Sequence, residues 1–155
     1  VSNDALAQAR AALAVVRQPD EPAPPPIPRR LTELTALVDS VRASGLVVDL
    51  DLDPAACGNV DVEAAAYRVA QEALTNVMRH AGPGASARVA VTRHCRSLEI
   101  EVADDGTGPA PDAPPGHGLR GMAERVQSLG GELTAGPRPG GGFVVRASLP
   151  AGDGL

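Results

Sequence analysis

The sequence has no lysine: all fourteen of its basic residues are arginine. That absence excludes the Walker A lysine on a phosphate, the strand lysine of protein kinases and Schiff-base chemistry. Phosphate handling, if the chain does any, must use arginine, backbone N–H groups or a metal. Cysteine is also scarce. Cys57 and Cys95 lie far apart with no C-x-x-C spacing, which indicates neither a disulfide framework nor a zinc site, and a reducing cytoplasm is the expected setting. The net charge of −5 opposes binding to nucleic acid or an anionic membrane, since either needs clustered positive charge. No apolar run reaches the roughly 18 residues of a membrane span, and no basic-then-apolar leader opens the chain.

With 155 residues the chain can bury one sizeable core, and one domain with an appendage is expected. Residues 1–18 form a helical stub, with Leu6, Ala9, Leu13 and Val16 as an apolar stripe. That stripe suits either packing on the chain's own domain or the tail of a dimeric helix. Residues 19–30 are a linker, because six prolines between Pro19 and Pro28 forbid helix and favour an extended spacer. The globular part spans 31–150, followed by a tail at 151–155.

Within it, Leu31, Leu34, Leu37, Val38 and Val41 predict a helix that stops at Gly45, and "LVVDLDL" alternates as a strand. Asn59 or Asp61 caps a long helix to about His80, closed by Gly82-Pro83-Gly84. "SARVAVTR" and "SLEIEVAD" read as an antiparallel hairpin. After a Gly/Pro-rich loop come a helix from about Leu119 to Leu129 and two last strands, "GELTAG" and "GFVVRASLP". The order predicts an α+β fold: a two-layer α/β sandwich with a mixed, mostly antiparallel sheet and about three helices on one face.

Three stretches carry candidate chemistry. "GHGLRG", Gly116 to Gly121, has G-x-G-x-x-G spacing. A dinucleotide fingerprint needs a strand before it and an acid about twenty residues after it, and neither is present. A glycine-rich loop opening a helix remains, where backbone N–H groups receive phosphate oxygens; a plain flexible loop fits the hexad equally well. In "YRVAQEALTNVMRHAG", Glu72, Asn76, Arg79 and His80 share one helical face, with Val69, Ala73, Leu74 and Val77 largely on the other. A carboxylate and an amide oxygen one turn apart suit Mg²⁺, and Arg79 suits phosphate, although a solvated polar face shows the same pattern. In "VADDGTGPAP" a strand ends in Asp104-Asp105-Gly106-Thr107-Gly108, a common turn or a carboxylate placed to accept from an exocyclic amine.

In this order, "QEALTNVMRHA", "DDGTG" and "GHGLRGM" resemble the N, G1 and G2 boxes of the histidine-kinase ATP-binding domain of the GHKL ATPase superfamily. The lead-in "LVDSVRASGL" and the segment "ERVQSLGG" are nearest to NarL-partner and DesK-like sensor kinases. The resemblance implies that Asn76 binds Mg²⁺ and that Glu72 holds a metal-bound water or acts as a base toward an incoming histidine. It places Arg79 at phosphate and His80 at the nucleotide, Asp104 on the adenine amino group, and Gly106 and Gly108 around the base. Pro109 to Pro115 corresponds to an ATP lid. Gly116, Gly118 and Gly121 would lie beside the triphosphate, Leu119 and Met122 under the helix, and Arg120 within reach of the γ-phosphate.

Departures bear on function too. Phe143 stands where many relatives carry Thr or Ser, and position 105 is Asp where many have Asn. His80, His94 and His117 all fall inside the ATP-binding region, with His94 expected in an exposed hairpin turn. The phosphoacceptor histidine is therefore expected on a dimerisation domain outside this sequence, and this fragment is expected to bind ATP without autophosphorylating. The implied partners are that dimerisation domain, in a homodimer, and a response regulator. The implied setting is cytoplasmic, alone or as part of a membrane-anchored sensor, with no membrane contact by this fragment. The alternatives are an anti-sigma-factor-like serine kinase or other GHKL ATPase, and a non-catalytic nucleotide-binding module.

Overall fold

The computed structural model describes residues 28–106 and 117–151. The expected stub, most of the linker, Gly108, the lid, Gly116 and the tail beyond Ala151 lie outside the described residues. The described chain opens with a 3₁₀ turn, Leu31–Glu33, that leads into α1, Leu34–Ala43. Then follow β1 (Val47–Leu52), α2 (Val60–His80), β2 (Ser86–Arg93), β3 (Ser97–Asp104), α3 (His117–Ser128), β4 (Glu132–Pro137) and β5 (Phe143–Pro150). The hairpin strands have the bounds that their alternation predicts, whereas α3 begins two residues before Leu119.

The five strands form one sheet in the order β1-β2-β3-β5-β4. β1 runs parallel to β2, because α2 intervenes as a crossover, and the other neighbours are antiparallel. Alternation then sorts the side chains. Val89 and Val91 of β2, Leu98, Ile100 and Val102 of β3, and Val145, Ala147 and Leu149 of β5 are buried under the helices. The opposite face carries charge, with Arg146 Nε donating to Glu101 Oε2 at 2.6 Å and Arg88 3.5 Å from Asp51. Such exposed pairs contribute little stability. The result is the two-layer mixed sheet expected from the sequence.

α2 is the central helix. Asn59 is its N-cap, with Oδ1 accepting from the Val62 N–H at 2.9 Å, and Arg79 and His80 lie in its last turn, where positive charge suits the helix dipole. Its buried face includes Ala65, Ala66, Ala70 and Ala73, small side chains that bring the helix close to the sheet. Glu63, also buried, is fully used: its carboxylate accepts from Leu31 N at 2.9 Å, from Arg30 Nη2 at 2.6 Å and from Gly58 N at 3.3 Å. Arg29 lies over the Tyr67 ring, 5.9 Å from its centroid. The chain thus enters the domain strapped to the first half of α2.

Candidate functional site

Three elements converge on one edge of the molecule: the second half of α2, the end of β3 and the first turn of α3. On α2 the helical period holds. Val69, Ala73, Leu74 and Val77 are buried, Glu72 and Asn76 are half-buried, and Arg79 and His80 are exposed. Glu72 and Asn76 have no hydrogen-bond partner among the described residues, so both oxygens are available to a ligand.

Asp104 ends β3 and is buried, at 4% exposure. Its Oδ1 accepts from the Gly106 N–H at 2.9 Å, a short turn that fixes the carboxylate. Asp105 turns away. Its carboxylate accepts from the Ser86 N–H at 2.7 Å and the Ser86 hydroxyl at 2.8 Å. The Ser86 amide above all, then the hydroxyl and the Arg138 charge, hold the Asp105 carboxyl below the usual carboxylate range, against partial desolvation. Adjacent acids thus divide the work, one pinning β3 to β2 and one facing the site.

Two close approaches join the elements. A Cβ at Gly106 would overlap the carbonyl and Cα of Ala81, just beyond the end of α2. A Cβ at Gly118 would overlap the Glu72 carboxylate. The first glycine sets the end of β3 against the end of α2, and the second sets α3 against the middle of α2. Gly121 differs, for a Cβ there would meet nothing within 4 Å among the described residues. Leu119 and Met122 pack partly buried against the core, while Arg120 is exposed.

A buried carboxylate at a strand end can accept from an N–H of a planar base. The Glu72 and Asn76 oxygens, one turn apart, fit Mg²⁺, which takes few protein ligands and keeps water or phosphate in its other positions. Among the described residues no three His, Cys, Asp or Glu side chains group as a metal cage. The first turn of α3 presents N–H groups free of helical partners, which suit phosphate oxygens. A groove of about 250 Å³ lined in part by Ser44, Leu46, Val77, Met78 and Pro83 opens elsewhere. Met78, two residues beyond Asn76, puts it on nearly the opposite side of α2.

The sequence did not reveal Arg138 or Gly142. Arg138 Nη1 donates to the Asp104 carbonyl at 2.9 Å, and a Cβ at Gly142 would overlap that same oxygen. An arginine set in the Gly/Pro run "GPRPGGG" was the only available signal. Phe143, next to Gly142, packs partly buried against the core. His94 is exposed, with Nε2 3.1 Å from Glu99 Oε2, and Cys57 and Cys95 are exposed free thiols.

Comparison with known proteins gives a consistent pattern. The family of histidine kinase-, DNA gyrase B- and HSP90-like ATPases matches residues 61–153. The chain is 37% identical over 125 residues to the sensor histidine kinase YxjM of Bacillus subtilis, covering 77% of this chain and 30% of that protein. It is 30% identical over 154 residues to the nitrate/nitrite sensor protein NarQ of Escherichia coli, covering 98% of this chain and 27% of that protein. The chain therefore spans under a third of the length of these curated relatives. In fold it resembles the histidine kinase domain of a blue-light activated histidine kinase from Erythrobacter litoralis, with a TM-score of 0.66 at 23% identity over 77% of this chain and 60% of that one.

Proposed function

The chain belongs to the histidine kinase-, DNA gyrase B- and HSP90-like ATPase family, and we propose that it is the ATP-binding catalytic domain of a sensor histidine kinase. It transfers the γ-phosphoryl group of ATP to a histidine on a dimerisation domain. The observation that carries this reading is the convergence of the buried Asp104 carboxylate with the Glu72 and Asn76 oxygens, which have no partner among the described residues, held together by the Gly106–Ala81 and Gly118–Glu72 contacts.

Asp104 accepts a hydrogen bond from the adenine amino group, and Gly106 lets the base lie against backbone. The Asn76 amide oxygen would hold Mg²⁺, with Glu72 reaching it through water, and a metal held there would supply neutralisation of phosphate charge. Arg79 and Arg120 supply further positive charge, His80 contacts the nucleotide, and the first turn of α3 receives phosphate oxygens, with Gly121 leaving room for them. Leu119 and Met122 anchor that turn on the core. The acceptor imidazole nitrogen forms a bond to the γ-phosphorus as the bond to the ADP oxygen breaks. Glu72 takes the proton from the imidazole. The domain's contribution is alignment and charge neutralisation.

The phosphoryl group then passes to an aspartate of a response regulator, and the whole kinase acts as a homodimer. Among the described residues no helix is long and apolar enough to cross a membrane. The test mixes the chain with γ-labelled ATP, Mg²⁺ and a separately supplied histidine-bearing dimerisation domain. Acid-labile, alkali-stable label on that domain is expected, the mark of phosphohistidine. Acid-stable label on serine, or ATP hydrolysis with no labelled protein, would point instead to the serine-kinase or ATPase branches of the family.

A further inference from the structure

We propose that Arg138, in the turn between β4 and β5, is a positioning residue for Asp104 and so sets the site's preference for a purine carrying a 6-amino group. The inference rests on the reading of Asp104 as the acceptor for that amino group.

Asp104 sits where the sheet runs out. On one side β3 still pairs with β2, with Ala87 opposite Asp104. On the other side the ladder with β5 ends at Ala103 and Val144, one residue short. The Asp104 carbonyl therefore has no strand donor from β5, and the Arg138 guanidinium supplies one at 2.9 Å. A charged donor to a partly buried carbonyl is among the stronger hydrogen bonds.

The turn is built to hold that guanidinium. Arg138 N donates to Gly142 O at 3.0 Å, and Gly141 N donates to Arg138 O at 3.1 Å. Gly140, Gly141 and Gly142 have φ of +89°, +112° and +95°, values that side-chain-bearing residues rarely adopt. Gly142 also lies directly on the Asp104 carbonyl oxygen, where a Cβ would not fit. From the far side Asp105 is tied to Ser86. The Asp104-Asp105 dipeptide is thus clamped between β2 and the β4–β5 turn, and the Asp104 carboxylate, on Gly106, inherits its direction from that clamp. Arg138 touches the backbone of Asp104, not its carboxylate.

The test measures ADP and IDP affinity by calorimetry, since hypoxanthine carries a carbonyl where adenine carries the amino group. Wild type should prefer ADP. Arg138→Ala should lose about tenfold in ADP affinity, the equivalent of one hydrogen bond, with IDP affinity nearly unchanged. Arg138→Lys, which keeps a charged donor, should recover part of the preference. Arg138→Met, which keeps the length of the exposed side chain but removes its donor, should show the same selective loss and serves if Arg138→Ala does not fold. Equal loss for both nucleotides, or a full ADP preference in Arg138→Ala and Arg138→Met while Asp104→Ala loses it, overturns the role of Arg138. A wild type without preference, or Asp104→Ala that retains it, overturns the Asp104 reading and the inference with it.

Discussion

Gly118, at the start of α3, lies so close to Glu72 on α2 that any side chain there would occupy the space of the Glu72 carboxylate. The overlap is mostly with the far end of a flexible side chain, so Gly118→Ala should displace the carboxylate and leave the fold intact. Alanine also gains about 0.5–1 kcal/mol of helix propensity, which offsets any repacking cost. Phosphotransfer should fall by about a hundredfold, the usual scale for a misplaced base. In a Glu72→Ala background the same change should cost nothing more. Rate measurements on the four-member cycle check this, and additive losses would show that Gly118 acts through something other than Glu72.

Glu63 joins the entering chain to α2, and its loss should be a matter of stability. Glu63→Ala leaves the Leu31 and Gly58 amides and the Arg30 guanidinium without their acceptor. Arg30 is half exposed and can turn to water, so the buried Leu31 amide dominates, at about 2–3 kcal/mol. Glu63→Gln, which keeps one acceptor oxygen, should lose less. Denaturant unfolding of both variants measures the difference, and a Glu63→Ala protein as stable as wild type would contradict the role of this strap.

The Asp105 carboxyl titrates lower in the folded protein than in the unfolded chain, chiefly because of the Ser86 amide. The unfolded state then binds protons first as pH falls, so the contribution of this group is complete above about pH 4 and is lost as pH drops through the folded value. Asp105→Asn should be less stable than wild type at pH 7, with the gap closing below about pH 4. Thermal unfolding from pH 7 to 3 follows it. A gap that stays constant over that range would mean the charge of Asp105 has no part in pinning β3 to β2. Asp53, held low by the amides of Arg93 and Ala55, and Glu33, held low by the amide of Arg30, add their own acid sensitivity, which the comparison with the variant subtracts.

Much of this was legible because it is periodic. β2 and β3 bury one face only, and a period of two in the sequence reports that face. The Glu72, Asn76, Arg79, His80 face follows from 3.6 residues per turn. The sequence pattern predicts the start of α3 two residues late, because two glycines flank His117 and neither favours helix. The contacts that fix the site are different in kind. Arg138 reaches Asp104 across 34 residues, Glu63 reaches Leu31 across 32, and Asp105 reaches Ser86 across 19. No local pattern encodes such pairs, since each depends on which strands become neighbours. The resemblance implies a place for Gly118 beside the triphosphate, whereas its close approach to Glu72 depends on how α3 packs on α2.

The most direct measurement is a calorimetric titration of the chain with ATP, with and without Mg²⁺, for wild type, Asp104→Ala and Asn76→Ala. Wild type should bind in a Mg²⁺-dependent manner. Asp104→Ala should lose binding, and Asn76→Ala should bind equally with and without the metal. Tight, Mg²⁺-dependent binding by both variants would contradict the site.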